Sequence, residues 1–279
     1  MTRLLIVNAD DYGLTRGVSR GILRAHREGV VTSASVLAVA PAFEDAAREL
    51  RDAPPGFGVG VHLAAVGEDP PLLPPSRIRS LVGRDGRFPR GWRAFLLRAS
   101  RVRPAELEAE FAAQIERVRG AGLAVDHLDA HQHLHLLPKV RTIALRLAAR
   151  FGIPGIRVPR AGAGRPAGLA VWWFGRRLSG AAARAGVLHP EVCEGFDDSG
   201  RMTRGRLLAA IDRVDRSGAS SAEILLHPGE AADPERARYA WGYDWEGELA
   251  AVLDPDVRSA IGRAGFRLGT YRDLPGGSP

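Results

Sequence analysis

Short apolar segments alternate with helical stretches through the beginning of the chain, and this alternation limits it to a few folds. Residues 3–8, 33–39 and 57–63 are apolar and have the length of buried strands. Residues 15–28 and 41–51 carry apolar side chains at helical spacing. Because each strand is followed by a helix and a short connection, consecutive strands are expected to run parallel. The pattern predicts an α/β fold in which helices cover a parallel sheet or barrel.

The rest of the chain continues this rhythm with two interruptions. Residues 68–91 contain five prolines and predict a long excursion over the strand ends, whereas residues 160–220 are predicted to form an irregular insertion. The other predicted elements are helices at 104–119 and 138–151, strands at 124–130, 153–158 and 222–227, and a final helix and short strand within 256–268. A length of 279 residues fits one barrel, so we predict a single domain over 1–274 and a frayed tail at 275–279.

The charge balance raises the question of nucleic-acid binding, since the net charge is +7 and the isoelectric point is near 10.5. Lys139 is the one lysine among 39 basic residues, and acids are interspersed with the arginines along the chain. This distribution indicates a bias toward arginine rather than a phosphate-binding track, so no nucleic-acid partner is predicted. A single cysteine, Cys193, excludes an intrachain disulfide. With neither a signal sequence nor an apolar span of roughly 18–20 residues, we predict a cytoplasmic protein.

The segment HLDAHQHLH at residues 127–135 holds four of the eight histidines of the chain at alternate positions, with Asp129 between them. If the segment is extended, its period of two places all five polar side chains on one face. Burying such a row is costly unless the side chains bind or hydrogen-bond a partner. Imidazole is a usual ligand of zinc and other divalent ions, so the segment predicts a metal site, although not all five side chains are expected to be ligands.

Other polar residues follow predicted strands at their carboxyl ends, where parallel α/β folds gather catalytic groups. Asp10 and Asp11 follow the first strand, His62 ends the third, and His227 closes a later one. Each alone also has a structural interpretation, as a turn-capping carboxylate or a backbone-bonded histidine. Together, Asp11, His62 and one histidine of 131–135 match the two-histidine, one-carboxylate set of an open divalent metal site.

Five motifs resemble, in chain order, those of the YdjC-like carbohydrate deacetylases. They are RLLIVNADDYGLTRGV at 3–18, GVHL at 60–63, HLDAHQHLH at 127–135, HPG at 227–229 and RLGTYRDL at 267–274. The resemblance implies a single distorted (β/α) barrel with parallel strands and an active site at the strand carboxyl ends. It also implies metal-dependent hydrolytic removal of an acetyl group from an N-acetylated amino sugar.

The same resemblance implies roles for individual residues. Asp10 corresponds to the catalytic base. Asp11, His62 and His131 correspond to the ligands of one divalent ion, Zn²⁺ or Mg²⁺. His227 corresponds to the acid or to an oxyanion partner. The remaining candidates, which contact substrate or support the ligands, are His127, Asp129, His133, His135 and Arg157.

Two branches of the family differ in substrate, one acting on chitobiose-like sugars and the other on an N-acetylglucosaminyl hopanoid lipid. The segments PPSRIRSLVGRDGRF at 74–88 and DDSGRM at 197–202 are closer to the hopanoid branch. Residues 172–184 combine a Trp-Trp-Phe cluster with three arginines. This stretch has two interpretations: a peripheral contact with a membrane or lipid-linked substrate, or a core helix with a solvated arginine face.

Two other functions stay open at this point. One is metal-dependent hydrolysis of another bond, such as a phosphoester or a non-sugar amide, although the chain has no glycine-rich phosphate loop. The other is a non-enzymatic, arginine-rich binding protein whose histidines are structural. The sequence also leaves open whether the chain forms a homo-oligomer.

Overall fold

Parallel strands and helices alternate along the part of the chain that the computed structural model describes, which is residues 2–53, 56–161 and 166–276. The strands are β1 (Arg3–Tyr12), β2 (Ser33–Val36), β3 (Gly58–Leu63), β4 (His127–Ala130), β5 (Gly155–Ile156), β6 (Val192–Glu194), β7 (Ser221–Leu226) and β8 (Phe266–Leu268). The α-helices are α1 (Arg16–Glu28), α2 (Phe43–Arg51), α3 (Trp92–Arg98), α4 (Pro104–Gly120), α5 (Pro138–Phe151), α6 (Pro166–Arg184), α7 (Arg204–Arg216), α8 (Trp245–Leu253) and α9 (Pro255–Arg263).

Local end signals explain the helices that the sequence predicted well. The Thr15 side chain accepts a hydrogen bond from the Val18 N–H and so caps α1, which ends before Gly29. Pro138 opens α5, where a missing N–H costs nothing. Gly152 ends the same helix in the left-handed region, at φ 61°, which suits a residue without a Cβ.

All strand pairs in the described sheet are parallel, in the order β5-β4-β3-β2-β1-β7-β6. On one edge of β1, residues 4–9 pair with β7. The other edge is shared, because β8 pairs with residues 3–5 and β2 pairs from Asn8 to Tyr12. The first strand therefore pairs with three other strands of the sheet.

The two outer strands of this sheet are joined by a short bridge. Gly155 of β5 pairs with Leu188 in parallel, and the Leu188 N–H donates to the Pro154 carbonyl at 2.8 Å. The Ile156 N–H in turn donates to the Leu188 carbonyl at 2.8 Å. Since β6 begins four residues after Leu188, the chain between them closes the sheet on itself. This confirms the predicted α/β barrel with parallel strands, and its irregular closure makes it a distorted one.

The alternation of side chains along β1 separates two environments. Leu5, Val7 and Ala9 belong to the main apolar core shared with the helices. Leu4 and Ile6 point the other way and pack with Tyr271 and Leu274 in a separate apolar cluster, which closes the floor of the barrel. Asn8 and Asp10 continue this inner row as buried polar residues. The barrel interior thus changes from apolar to polar toward the strand carboxyl ends.

Several parts of the chain differ from the sequence prediction. The stretch 160–220, predicted to be irregular, contains α6, β6 and α7, while α3 was not predicted at all. The Pro-rich excursion at 68–91 is observed, with one short 3₁₀ turn at Pro75–Arg77. Within the predicted tail, residues 277–279 lie outside the described residues. None of the helices in the described ranges combines the length and the hydrophobicity that a membrane-spanning segment requires.

Candidate metal centre

Asp11 marks the point where β1 leaves its regular path. The register between β1 and β2 shifts between Ala9 and Tyr12, and Asp11 itself adopts φ 67°. A non-glycine residue in the left-handed region is strained, and such strain is common at functional sites. The Asp11 carboxylate is buried, yet its Oδ1 atom has no hydrogen-bond partner of ordinary geometry among the described residues. Such an atom needs a partner, because an unsatisfied buried acceptor is costly.

Two histidine nitrogens face this unsatisfied oxygen. His131 Nδ1 lies 3.3 Å from Asp11 Oδ1, and His62 Nε2 lies 3.6 Å from it. One atom from each of the three residues falls within 4.8 Å of the others. Ligand atoms that are each about 2 Å from a shared ion stand about 3.3 Å apart at a tetrahedral angle. The donor set therefore fits a divalent ion, which Asp11, His62 and His131 would hold with further coordination positions left open.

The orientation of His62 is fixed from behind by Asp129. The His62 Nδ1–H donates to Asp129 Oδ1 at 2.8 Å, which turns Nε2 toward Asp11. Carboxylate support of this kind is usual for metal-binding histidines. Burial lowers the pKa of His62, but the negative charges of Asp129, Asp10 and Asp11 outweigh it and raise the pKa to about 9. The pocket therefore favours a positive charge at this position.

Asp10, next to Asp11 in the chain, is held by Arg157. The Arg157 Nη1–H and Nη2–H groups donate to the two oxygens of Asp10 at 2.7 and 2.6 Å. The same guanidinium lies 2.5 Å from Asp129 and 2.8 Å from Glu223. Burial raises the pKa of Asp10, but the positive charge of Arg157 outweighs it and lowers the pKa to about 2. Asp10 is therefore ionised at neutral pH.

The position of Arg157 also distinguishes between two groups of side chains that could bind a metal ion. Asp10, His62 and Asp129 likewise offer three ligand atoms within 4.8 Å. There, however, Arg157 already supplies the positive charge to both carboxylates, and His62 uses its Nδ1–H on Asp129. The cluster of Asp11, His62 and His131 has no such built-in cation among the described side chains.

His227 stands on the other side of Asp10. Its Nε2 atom lies 3.9 Å from Asp10 Oδ2, and its Nδ1 atom lies 3.7 Å from Glu248 Oε2. The backbone N–H of His227 donates to the same Glu248 oxygen, and Glu248 also accepts from the Met202 N–H. Burial lowers the pKa of His227, but Glu248, Asp10 and Asp11 together raise it. Two neighbouring groups thus have pKa values displaced in opposite directions, which is the arrangement of an acid and a base.

The extended conformation that would place all five polar side chains of residues 127–135 on one face is not observed. β4 ends at Ala130, and Gln132 and His133 adopt φ 51° and 54° inside a 3₁₀-type turn. The chain reverses here because α5 begins at Pro138 and packs back along the barrel. The period of two therefore ends with His131.

The reversal sends the other histidines to separate places. His127 stacks on Tyr271 with ring centroids 4.0 Å apart and its Nδ1–H donates to Asp126. The His135 Nε2–H donates to the Arg157 carbonyl at 3.1 Å, while the His133 ring lies 4.7 Å from that of Phe196. Burial lowers the pKa of both His133 and His135. Within the run, only His131 meets Asp11.

Sequence reasoning missed an aromatic segment over the site. The ring of Trp241 lies 5.2 Å from that of His131, and the ring of Tyr243 lies 4.8 Å from that of His227. Trp241 Nε1–H donates to Glu68 in the excursion. The repeated aromatics of YAWGYDW at 239–245 were the available signal.

The buried acids Glu223 and Glu248 were missed as well. Glu223 was recognisable as one acid inside the apolar strand SAEILL, and it joins Arg157 to the Tyr271 hydroxyl. Glu248 lies in the first turn of α8, where acidic residues are common, so the sequence gave no signal of its role. Its partners, Met202 and His227, are 46 and 21 residues away in the chain.

Comparisons with known proteins find similarity over nearly the whole chain. The family model described as "YdjC-like protein" matches residues 4–263. A carbohydrate deacetylase of Geobacillus stearothermophilus is 34% identical over 98% of this chain and 99% of its own length. A chitooligosaccharide deacetylase of Proteus mirabilis is 31% identical over 98% of this chain and 100% of its own length. A crystal structure from Enterococcus faecalis V583, provisionally described as a cellobiose-phosphate cleavage protein, superposes with a TM-score of 0.83 at 28% identity, covering 98% of this chain and 99% of the other.

Proposed function

This chain belongs to the YdjC-like protein family, and we propose that it is a metal-dependent N-deacetylase of amino sugars. The reaction hydrolyses the amide of an N-acetylated sugar, so that water adds to the acetyl carbon, the C–N bond breaks, and acetate and a free amine leave. The names of the relatives support the reaction class. The observation that carries the metal dependence is the convergence of Asp11, His62 and His131 beside Asp10 and His227.

A divalent ion bound by these three residues would polarise the acetamide carbonyl and lower the pKa of a nearby water. The chain supplies the proton transfers. Asp10 is ionised and accepts the proton of the attacking water, while Arg157 holds its carboxylate in place through two hydrogen bonds. His227, supported by Glu248, donates a proton to the departing amine.

The aromatic segment gives the substrate a boundary. Trp241 and Tyr243 stand at the rings of His131 and His227, so a sugar that brings its acetamide between these histidines lies against the aromatic rings. Both side chains are partly exposed. Aromatic faces offer apolar contact area at a small entropic cost, which suits the apolar faces of sugar rings.

An acetate-release assay tests the proposal. The purified protein, stripped of metal and reloaded with Zn²⁺ or Mg²⁺ in turn, is offered N-acetylglucosamine oligosaccharides and an N-acetylglucosaminyl glycolipid. We expect metal-dependent acetate release, abolished in Asp11→Asn, and the better of the two substrates decides whether the sugar is lipid-linked. Release of phosphate from a phosphorylated disaccharide, with no acetate from either N-acetylated substrate, would contradict the proposal.

A further inference from the structure

Large apolar side chains are exposed at two helices. Within the described ranges, every large hydrophobic side chain that is exposed lies on α3 or α6. They are Trp92, Leu96, Leu97, Leu169, Trp172 and Trp173, and their exposed fractions run from 43% for Leu96 to 86% for Leu97. Isolated exposed apolar residues are ordinary, but their confinement to two helices marks an interaction surface. We call the exposed side of α3 and α6 the basic–aromatic face.

The charge of the chain is concentrated in the same two segments. Residues 86–105, which include α3, contain six arginines and no acid. Residues 130–190, which include α6, contain ten basic residues and no acid. The remaining residues hold 23 basic and 32 acidic side chains, so they are net negative. Within these segments Arg157 is buried against three carboxylates, and three further arginines pair with acids outside them, namely Arg103, Arg146 and Arg150. The arginines of α3 and α6 themselves form no ion pair with a described residue, so these two helices carry unbalanced positive charge beside the exposed tryptophans.

The arginines of this face lack carboxylate partners. Arg93, Arg176 and Arg177 make no ion pair with any described residue, and their guanidinium groups lie over Trp92, Trp172 and Trp173 at 5.2, 5.1 and 4.5 Å from the ring centroids. The Nη1 atom of Arg141, on the neighbouring α5, is buried without a hydrogen-bond partner among the described residues. Burial and the positive charges of Arg177 and Arg184 lower the pKa of Arg141, so this cluster favours an external anion.

Both helices adjoin the candidate metal centre. The Trp92 N–H at the start of α3 donates to Gln132 Oε1 at 2.7 Å, and α6 contacts the turn His131–Leu136. Lys139 ties the region after α3 to α5 by donating to the carbonyls of Ala99 and Val102. The face therefore borders the mouth of the barrel on the side of His131.

We propose that the basic–aromatic face docks on an anionic membrane surface. Tryptophan is favoured at membrane interfaces, and each arginine near an anionic bilayer contributes about 1 kcal/mol of attraction. A second copy of the chain fits poorly, because a symmetric contact would bring the two positive faces together. Nucleic acid fits poorly as well, because Leu96, Leu97 and Leu169 offer nothing to a phosphate backbone. Docked in this way, the mouth of the barrel lies beside the lipid headgroups.

Vesicle co-sedimentation tests this docking without any use of catalytic activity, so its outcome is separate from that of the deacetylase proposal. The full-length protein is mixed with phosphatidylcholine vesicles with or without about 30% phosphatidylglycerol. We expect binding to the anionic vesicles only, weakened by salt. The variant R176Q/R177Q should bind about 30-fold more weakly, and the variant W172S/W173S should also lose binding. All four side chains are exposed, so both variants should fold, which circular dichroism checks.

A matched control removes the same charge elsewhere. Arg27 on α1 and Arg263 on α9 are exposed and make no ion pair with a described residue, so R27Q/R263Q should bind like the unaltered protein. The proposal is overturned if the unaltered protein does not sediment with anionic vesicles, or if all three variants bind alike. Two other results would also overturn it. In the first, sedimentation velocity shows that the unaltered protein self-associates and that the face variants do not. In the second, the unaltered protein binds duplex DNA more tightly than it binds the vesicles, and the face variants lose this DNA binding.

Discussion

Arg157 is a fully buried arginine that contacts three carboxylates inside the barrel, those of Asp10, Asp129 and Glu223. Burying an isolated ion is prohibitive, and burying a network is tolerated only when the charges and hydrogen bonds are matched. The arginine permits the site to keep several carboxylates in one buried pocket. It also gives two neighbouring acids different surroundings. The charge of the Asp10 carboxylate is balanced by Arg157, whereas the Oδ1 atom of Asp11 has no hydrogen-bond partner among the described residues.

Replacing Asp10 separates catalysis from metal binding. We expect Asp10→Asn to lower kcat about 100- to 10,000-fold, because the amide cannot accept the proton of the attacking water. Metal content, measured by elemental analysis, should be unchanged, since Asp10 is not one of the three converging ligands. Arg157 keeps Asp129 and Glu223, so the fold should survive. Full activity in this variant would assign the base elsewhere.

Two histidines of the same run make a matched pair for testing the ligand assignment. His131→Ala should lose the metal, because His131 Nδ1 faces Asp11 at 3.3 Å. His135→Ala should keep it, because His135 bonds the Arg157 carbonyl instead. Elemental analysis of both purified variants checks this. Metal content that is unchanged in His131→Ala would move the third ligand to His133 or His135.

At the scale of elements, the sequence predicted what depends on local periodicity and end signals. The helices α1, α4 and α5 and the strands β1 to β3 were found because their apolar spacing and their Thr, Pro or Gly boundaries are local. The helix α3 was missed because WRAFLLR is only seven residues long and has no capping side chain, so its apolar residues form no repeat with helical spacing. Short strands such as β5 depend on tertiary pairing and were predicted longer than they are.

The residues of the candidate site were likewise predictable where they depend on local sequence and not where they depend on tertiary packing. The strand-end positions of Asp10, Asp11 and His62 were predictable from the position of the strands alone. The turn at His131–Leu136 could not be predicted, because histidines at alternate positions match an extended strand. The residues with positive φ are Gln132 and His133, and neither is a glycine, which would have indicated a turn. Glu248 approaches His227 only through packing of α8, a contact that no sequence period encodes.

The aromatic segment 239–245 is the element whose removal should affect substrate rather than metal. Trp241→Ala should raise KM for an N-acetylated oligosaccharide severalfold with a smaller effect on kcat, because the ring next to His131 is lost. Trp241→Phe keeps a ring and should recover most of the affinity. Steady-state kinetics on both variants check this. Equal KM values for the two variants and the unaltered protein would exclude Trp241 from the substrate boundary.

At the scale of the whole molecule, a bound ion would connect strands that are far apart in the chain. Asp11 and His62 are the next-to-last residues of β1 and β3, and His131 directly follows β4, so the ion would connect three strands of one half of the barrel. Ligand at 100 times its Kd adds about 2.7 kcal/mol to the free energy of unfolding. We therefore expect metal-free protein to gain about 5–10 °C in Tm when the preferred ion is added.

Thermal unfolding of the chelator-treated protein with added Zn²⁺, Mg²⁺ or Mn²⁺ measures this gain and ranks the ions. The double variant D11N/H131A provides the control, since it lacks two of the three ligands and should show no gain. A Tm that no divalent ion shifts, or an equal shift in the double variant, would show that stabilisation does not pass through this cluster.

The pairing of β1 with the last two strands of the chain has a consequence for how the chain is made. On one edge, Leu4 to Ala9 stay uncovered until β7 has been synthesised more than 200 residues later, and on the other edge Arg3 to Leu5 wait for β8. During translation, the run LLIV is therefore an open strand edge that can pair with other nascent chains. Escape from aggregation on the ribosome thus depends on how fast the second half emerges and on whether a chaperone shields the first strand meanwhile.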